Sequence, residues 1–278
     1  MDYYCTYFDK KYLDRGLALY ASMDRYCLPF HLWILALCDD TLRYLQKARL
    51  PNVTVISMAE FETPELLAVR PGRTWPEYIW TCTGALMAHV MARNPVIDSL
   101  SYLDADLFFF DHPRAIFAEI GDAPVGITPH RSSPSHQWMA PGNGTYNVGL
   151  VYARANLQGA GCIKEWAAQT LDWCFYRHED GKFCDQKYLD VWPEQWGAHS
   201  IQHKGANLAP WNQGEGQYIY SIRDGQIHVD SDPLIFYHFH AGLSFLHPKV
   251  GYEIDPFVAT NIYGPYKEAL ERAQGEIC

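Results

Sequence analysis

Residues 100–110 read LSYLDADLFFF, an apolar and aromatic run that contains two carboxylates. A run of this composition is typical of a buried strand. Burying an unpaired carboxylate is very costly, so charges are rarely placed there without a partner. On a strand, Asp104 and Asp106 would lie on one face and could approach one hard divalent cation together. The alternative is a pair of solvated turn residues at the end of the strand, and the triplet alone does not exclude it.

Segments with strand-like and helix-like patterns alternate on the N-terminal side of this run. Strands are predicted at 3–7, 32–37 and 53–57, and helices at 11–26, 42–48 and 78–93. Such alternation is typical of an α/β fold with a mainly parallel central sheet and helices on both faces. In these folds, ligands bind beyond the carboxyl ends of the strands. Because the acidic triplet falls at a predicted carboxyl end, we expect it at the ligand-binding edge.

The C-terminal side of the run is less regular. Short strands are predicted at 125–128 and 149–152 and helices at 164–176 and 185–191, whereas the chain from Pro193 onward is rich in loops. Residues 129–146 show no periodicity, and a loop of that length is usually a lid or a binding loop. Because no internal repeat or linker is present, we expect one folded domain over residues 1–278.

Charge and cysteine content exclude several classes of protein. The formal net charge is −10 and no basic stripe is visible, which argues against nucleic acid as a partner. The eight cysteines contain no C-x-x-C spacing, so neither a zinc site nor a disulfide framework is expected, and a cytoplasmic location fits better. We find no signal peptide and no apolar segment long enough to span a bilayer, which leaves peripheral membrane contact open.

Four short motifs follow one another along the chain: DAD at 104–106, YNVG at 146–149, DQ at 185–186 and HFHAG at 238–242. In this order, on an α/β chain, they resemble glycosyltransferases of the nucleotide-diphospho-sugar (GT-A) fold. The similarity is greatest to the retaining group that includes glycogenin and galactosyltransferases, and it spans roughly residues 3–250. It implies a single GT-A-type domain with a nucleotide-binding half at 1–110. The sugar and acceptor half would occupy 111–278, with a loop-rich acceptor side.

The resemblance assigns a divalent cation, Mn²⁺ or Mg²⁺, to Asp104 and Asp106, where it would bridge the diphosphate of the donor. Such a cation stabilises the negative charge that the leaving nucleoside diphosphate gains. The third ligand would be His240, because a neutral imidazole accepts a metal readily. We expect at most one of His238 and His240 to point at the metal. The alternative for either residue is an ordinary surface or core histidine.

The resemblance also implies which residues contact the donor. The nucleotide would contact Thr6, Tyr7, Phe8, Ala105, Gly149 and Lys249, of which Lys249 would meet a phosphate. The sugar and the reacting bond would contact Asn147, Asp185 and Gln186. Ordinary alternatives are a core position for Tyr7, a turn for Asn147 and a helix N-terminal charge for Asp185. In the helix before the acidic pair, the family often presents a basic residue to phosphate. Here Tyr78, Trp80 and Thr83 occupy that region, and Arg73 is the nearest cation upstream of them.

The predicted function is a metal-dependent glycosyltransferase that moves a sugar from a nucleotide diphosphate donor to a hydroxyl acceptor such as a glycan. The resemblance favours a UDP-sugar donor and retention of the anomeric configuration. Residues 129–146 and 192–220 would form the acceptor side, where exposed aromatic rings can stack on sugars. A nucleotidyltransferase is the alternative enzyme, although residues 6–15 do not match its Gly-rich basic loop. A non-catalytic carbohydrate-binding protein on the same fold is the third hypothesis.

Overall fold

The structure is a computed structural model that describes residues 1–214, 217–240, 242–243 and 251–277. Its strands are, in chain order, β1 (Asp2–Phe8), β2 (Phe30–Ala36), β3 (Val53–Ser57), β4 (Ser99–Leu103), β5 (Leu107–Phe109), β6 (Val125–Pro129), β7 (Tyr146–Arg154), β8 (His199–Ser200), β9 (Tyr220–Arg223), β10 (Gln226–Val229), β11 (Asp232–Pro233) and β12 (Phe236–His238). Its α-helices are α1 (Leu13–Tyr26), α2 (Asp39–Ala48), α3 (Met58–Phe61), α4 (Pro64–Val69), α5 (Trp75–Arg93), α6 (Arg114–Ile120), α7 (Ala140–Asn143), α8 (Leu157–Asp172), α9 (Trp192–Trp196), α10 (Pro256–Val258) and α11 (Gly264–Ile277). Short 3₁₀ turns lie at Arg70–Gly72, Gln137–Met139, Lys187–Val191 and Pro210–Asn212, and a π-helical turn at Ala259–Tyr263.

The central sheet has the strand order β3-β2-β1-β4-β7-β6-β8. Neighbouring strands are parallel except at β7, which runs antiparallel to both β4 and β6. The sheet is therefore mainly parallel, as predicted. Because β7 runs in the opposite direction, its first residues lie at the same edge as the carboxyl ends of β1 and β4. That edge brings the motifs at 104–106 and 146–149 together, where α/β folds bind ligands.

Helices cover both faces of this sheet, as predicted, because side chains alternate between the faces along each strand. Cys5 and Trp33 belong to the core cluster that α5 and α8 cover. Their neighbours Tyr4 and Ile34 belong to a second cluster, which α1 and α6 cover on the opposite face. β1 and β2 are therefore buried on both sides, and this burial fixes their register.

The C-terminal third adds two smaller sheets and closes back on the N-terminal part. β5 pairs antiparallel with β12, and β9, β10 and β11 form a three-stranded antiparallel sheet. α11 packs along α1, where Gln274 Nε2 donates to Asp14 Oδ2 at 2.8 Å. Strands β8 to β12 have only two to four residues each, too few to show a periodicity in the sequence. Loops connect them, in keeping with the predicted loop-rich side.

Two predicted elements differ in kind from the structure, and the helix predicted at 164–176 lies instead at Leu157–Asp172. β4 ends at Leu103, so the acidic pair lies in the turn after the strand rather than on it. Leu107 N donates to Asp104 O at 3.2 Å and closes that turn, which is why the strand cannot continue. The helix predicted at 185–191 is a short 3₁₀ turn at Lys187–Val191.

Two features of the described residues concern the expected setting of the protein. None of their helices combines the length and the apolar character needed to cross a membrane. The seven cysteines in the described part of the chain are free thiols. Six of them are buried.

Candidate functional site

The acidic pair lies in a turn whose backbone is held from two sides. Asp104 N donates to Gly149 O at 3.0 Å, which ties the turn to β7. Phe239 N donates to Asp106 O at 2.9 Å, which ties it to the residue after β12. Tyr102 donates its hydroxyl to Asp104 Oδ1 at 2.8 Å. The Asp104 and Asp106 side chains are only 29% and 13% exposed, so they are not ordinary solvated turn residues.

His238 completes a group of three candidate metal ligands. β12 pairs with β5 so that His238 lies opposite Leu107, the residue after Asp106. Its Nε2 is 3.1 Å from Asp106 Oδ1 and 3.6 Å from Asp104 Oδ2. One ligand atom from each of the three residues lies within 4.8 Å of the other two. Two carboxylates and one imidazole are a donor set that can hold Mn²⁺ or Mg²⁺.

The structure places His238, rather than the predicted His240, beside both carboxylates. The rings of both histidines pack against Trp211, with centroid distances of 5.2 Å for His238 and 5.5 Å for His240. Both imidazoles are therefore turned toward Trp211. His240 lies in the turn that follows β12, two residues after His238. Its role as the third ligand stays a prediction.

Asn147 at the start of β7 sets the orientation of His238. Its Oδ1 accepts from Gly149 N at 2.9 Å, from Asn207 Nδ2 at 3.2 Å and from His238 Nδ1 at 3.1 Å. The backbone donor identifies this atom as the amide oxygen, so His238 Nδ1 must carry a proton. The lone pair of the neutral imidazole is then on Nε2, which faces the two carboxylates. A second hydrogen-bonded group of this kind is what metal-binding histidines usually have.

Gly149 is required at its position by the side chains around it. A Cβ at residue 149 would lie 2.6 Å from Asn147 Oδ1, 2.8 Å from His238 Nδ1 and 2.9 Å from Asn207 Oδ1. Any larger residue would therefore displace the hydrogen bond between Asn147 and His238. The close approach that the motif predicts is made here by protein side chains.

Asp185 and Gln186 lie at the same edge, as the order of motifs predicts. Asp185 Oδ2 accepts from Thr83 Oγ1 at 2.9 Å, and Thr83 Oγ1 lies 2.9 Å from the hydroxyl of Tyr7. Gln186 Oε1 accepts from Asn147 Nδ2 at 3.2 Å, and its Nε2 donates to Asn143 O at 2.8 Å. The residues predicted to surround the sugar are therefore linked to the metal-ligand group through Asn147. Their contact with a sugar stays a prediction.

Burial spreads the pKa values of the acidic groups. It raises the pKa of Asp104 to about 6, although the facing His238 acts in the opposite direction. It also raises the pKa of Asp185 to about 7. For Asp106 burial acts upward too, but the close His238 holds its pKa below the usual value. Burial acts downward on His238, but the two carboxylates raise its pKa overall. Burial thus favours the neutral forms of Asp104 and Asp185, whereas the two carboxylates favour the protonated form of His238.

The predicted nucleotide contacts occupy different environments. Tyr7 reaches the site through its hydroxyl, as described above. Thr6 and Phe8 are buried, and the ring of Phe8 covers Gly16 of α1. Ala105 is buried in the same core cluster as Phe8. Lys249 lies outside the described residues. Contact of these residues with a nucleotide stays a prediction.

Two side chains that shape the site escape prediction from the sequence. Tyr102 holds Asp104, and Asn207 shares the amide oxygen of Asn147. A signal existed for Tyr102, because a residue two positions before Asp104 on a strand points to the same face. Asn207 lies in a loop with a positive φ of 56°, where no periodicity marks its direction.

Curated proteins of similar sequence have no assigned function. The chain is 32% identical to the uncharacterised protein YfnD of Bacillus subtilis (strain 168) over 284 residues, which cover 99% of this chain and 90% of YfnD. This chain belongs to the YfnD family. Another member, YfnF of the same organism, is 32% identical over 244 residues, which cover 85% of this chain and 80% of YfnF. No family model matches the sequence.

Solved structures similar to this YfnD-family chain are glycosyltransferases. The galactosyltransferase LgtC, in complex with donor and acceptor sugar analogs, superposes with a TM-score of 0.58 at 15% identity, over 99% of this chain and all of that one. Mouse xyloside xylosyltransferase 1 gives a TM-score of 0.54 at 16% identity, over 85% of this chain and 97% of that one. The predicted GT-A fold is thereby confirmed. At this level of identity the similarity concerns the fold alone.

Proposed function

We propose that this chain is a metal-dependent glycosyltransferase that moves a sugar from a nucleotide diphosphate donor, a UDP-sugar, to a hydroxyl acceptor. The observation that carries the proposal is the group formed by Asp104, Asp106 and His238 at the ligand-binding edge of a GT-A sheet. Paired acids in a half-buried turn, with an imidazole oriented by Asn147, have the chemistry of a cation site rather than of a structural ion pair.

Asp104, Asp106 and His238 would hold Mn²⁺ or Mg²⁺. When bound, the cation would stabilise the negative charge that develops on the departing nucleoside diphosphate. The chain itself has a net charge of −10 and would repel an anionic donor without such a centre. Asn147 keeps the Nδ1 proton of His238 in place, so that Nε2 presents its lone pair to the cation.

The donor would lie along the edge where β1, β4 and the start of β7 meet. Thr6, Tyr7, Phe8, Ala105, Gly149 and Lys249 are the proposed nucleotide contacts, and Asn147, Asp185 and Gln186 the proposed contacts of the sugar. Support for the second group comes from the hydrogen bonds that join Asn147 to Gln186 and to His238. Retention of configuration follows the resemblance to the retaining group. We also propose the division into a nucleotide half at 1–110 and a sugar and acceptor half at 111–278.

The acceptor, a glycan or another hydroxyl compound, would enter beside the loop at 129–146. His130 O accepts from Trp211 Nε1 at 3.0 Å, and the Trp211 ring contacts His238 and His240. This loop is therefore joined directly to the metal-ligand group. A cavity of about 570 Å³ opens along it, lined among others by His130 and Lys187. A cavity that is lined by both apolar and polar groups, next to an aromatic ring, suits a sugar hydroxyl acceptor. The free thiols support a cytoplasmic setting.

The test is incubation with a panel of nucleotide sugars and Mn²⁺, followed by measurement of free nucleoside diphosphate. We expect release with at least one donor, loss of release with EDTA and a strong decrease in Asp106→Asn. Asp98→Asn is the matched control, because Asp98 is an exposed acid at the opposite end of β4. Pyrophosphate release from a nucleoside triphosphate would indicate a nucleotidyltransferase. Sugar binding that does not depend on metal, without turnover, would indicate a carbohydrate-binding protein.

A further inference from the structure

Arg73, the nearest cation upstream of Tyr78, does not face the acidic pair. Its guanidinium donates to Thr81 Oγ1 and to Leu171 O, which places it between α5 and the end of α8. Arg73 therefore does not neutralise the donor phosphates, and any side chain that assists the metal and Lys249 would come from another element. The candidates are basic residues on the elements that border the turn at 104–106.

Arg15, in the first turn of α1, lies beside that turn. Its guanidinium carbon is 4.0 Å from the centroid of the Tyr12 ring. Its Nη2 is 3.1 Å from the position that a Cβ on Gly242 would occupy. Gly242 N donates to Phe239 O at 2.7 Å, and Phe239 N donates to Asp106 O at 2.9 Å. Arg15 thus borders the backbone segment that joins His238 to the acidic pair.

The guanidinium of Arg15 lies near the acidic pair but does not pair with a carboxylate of the described residues. Within the described part of the chain, it forms no salt bridge with a carboxylate at N···O distances up to 4.0 Å. Burial acts upward on the pKa of Asp106, but His238 and, to a smaller extent, the charge of Arg15 lower it. The side chain is half-buried, so a ligand that binds there would meet a partly desolvated guanidinium. Such a group forms strong, paired hydrogen bonds with phosphate oxygens.

We propose that Arg15 binds the diphosphate of the donor from the side opposite the acidic pair, with Gly242 leaving room for its guanidinium. This inference rests on the proposed function, because it assigns a residue to the same donor site. It makes Arg15 the cation that replaces the basic residue expected on the preceding helix. The competing explanation is that Arg15 only supports the turn at 239–242.

The test compares the affinities of UDP and of uridine for the wild type, Arg15→Gln and Arg15→Lys by calorimetry, with and without Mn²⁺. Loss of charge-assisted hydrogen bonds predicts that Arg15→Gln weakens UDP binding about 10–100-fold. Uridine binding should stay within about twofold, because uridine lacks the diphosphate that the guanidinium contacts. Arg15→Lys should be intermediate, since it keeps the charge but not the planar donors. Arg25→Gln, in the last turn of the same helix, is the control and should bind UDP like the wild type.

Three results would overturn the inference. Equal losses for UDP and uridine would assign Arg15 to support of the turn. Unchanged UDP affinity in Arg15→Gln, with a wild type that binds UDP, would refute the contact while leaving the proposed function intact. A wild type that does not bind UDP with Mn²⁺ would refute the inference and the proposed function together.

Discussion

Replacing Asn147 by leucine should leave the His238 imidazole in the protein but remove the hydrogen bond that orients it. The change removes the oxygen that accepts from Gly149 N, Asn207 Nδ2 and His238 Nδ1. A buried donor left without a partner costs about 1–3 kcal/mol. Loss of three such bonds should therefore lower the free energy of unfolding by about 3 kcal/mol or more. Because His238 loses its fixed tautomer and direction, Mn²⁺ affinity should fall by about 10–100-fold.

Two variants and two assays make this expectation specific. Asn147→Asp keeps an oxygen at the same place, so it should keep Mn²⁺ affinity within about tenfold of the wild type. Asn156→Leu removes the N-cap of α8, where Asn156 Oδ1 accepts from Gly159 N at 2.9 Å, at the far end of β7. That variant should lose about 1 kcal/mol of stability and no metal affinity. Calorimetric titration with Mn²⁺ and urea unfolding of the metal-free protein give the two quantities separately.

The result that would refute this reasoning is a destabilised Asn147→Leu that binds Mn²⁺ as tightly as the wild type. Asn147 would then be a structural residue only. If His238→Ala also retained Mn²⁺ affinity, the imidazole would not be a ligand at all. The prediction for His240 could then be examined with His240→Ala in the same titration.

Three further outcomes are expected. Mn²⁺ affinity should fall as the pH decreases through the raised pKa of His238, because the metal must displace the Nε2 proton. Titrations with Mn²⁺ between pH 5.5 and 8 test this expectation. An affinity that does not change with pH would contradict it. The folded-state pKa of Asp185 is about 7, above the ordinary 3.8, so its contribution to stability is complete below pH 3.8 and is lost as the pH rises toward 7. In Asp185→Asn, the decrease in the free energy of unfolding between pH 3.8 and 7 should be smaller by up to about 4 kcal/mol. Urea unfolding of the metal-free protein at several pH values measures this decrease. An unchanged pH dependence would show that Asp185 is not the group responsible. Gly149→Ala should weaken Mn²⁺ binding, because a Cβ at residue 149 would displace the hydrogen bond between Asn147 and His238. The control is Gly275→Ala in α11, where a Cβ meets open space, and this variant should only stabilise the helix by about 0.5–1 kcal/mol. Equal Mn²⁺ affinities in the two variants would rule out the steric argument.

The local part of this architecture could be predicted from the sequence. Strands β1 to β3 and the long helices have clear periodicities, and the apolar residues before the acidic pair form β4 as expected. Four motifs that are far apart in sequence meet at one edge because that edge collects the ends of the strands. For this reason the motifs alone predict that Asn147 and Asp185 lie near the acidic pair.

The choice between the two histidines could not be made in the same way. It depends on the pairing of β5 with β12, which joins segments far apart in the chain and only three residues long. Such a register is fixed by tertiary packing and leaves no pattern in either segment. The role of Arg15 could not be predicted for a similar reason, because its position beside the acidic pair depends on where the backbone after β12 lies. Sequence periodicity therefore does not predict the pairing of short strands that lie far apart in the chain.

The return of the C-terminal third onto the N-terminal part has a consequence for synthesis on the ribosome. β5 has its partner only once Phe236–His238 has emerged, and the face of α1 that packs on α11 stays uncovered until the end of the chain. Until then, a nascent chain exposes an unpaired strand edge and two acids without their imidazole. Mn²⁺ cannot stabilise such an incomplete chain through this group. Translation products that stall before β12 should therefore be substrates for chaperones and proteases even when the metal is abundant.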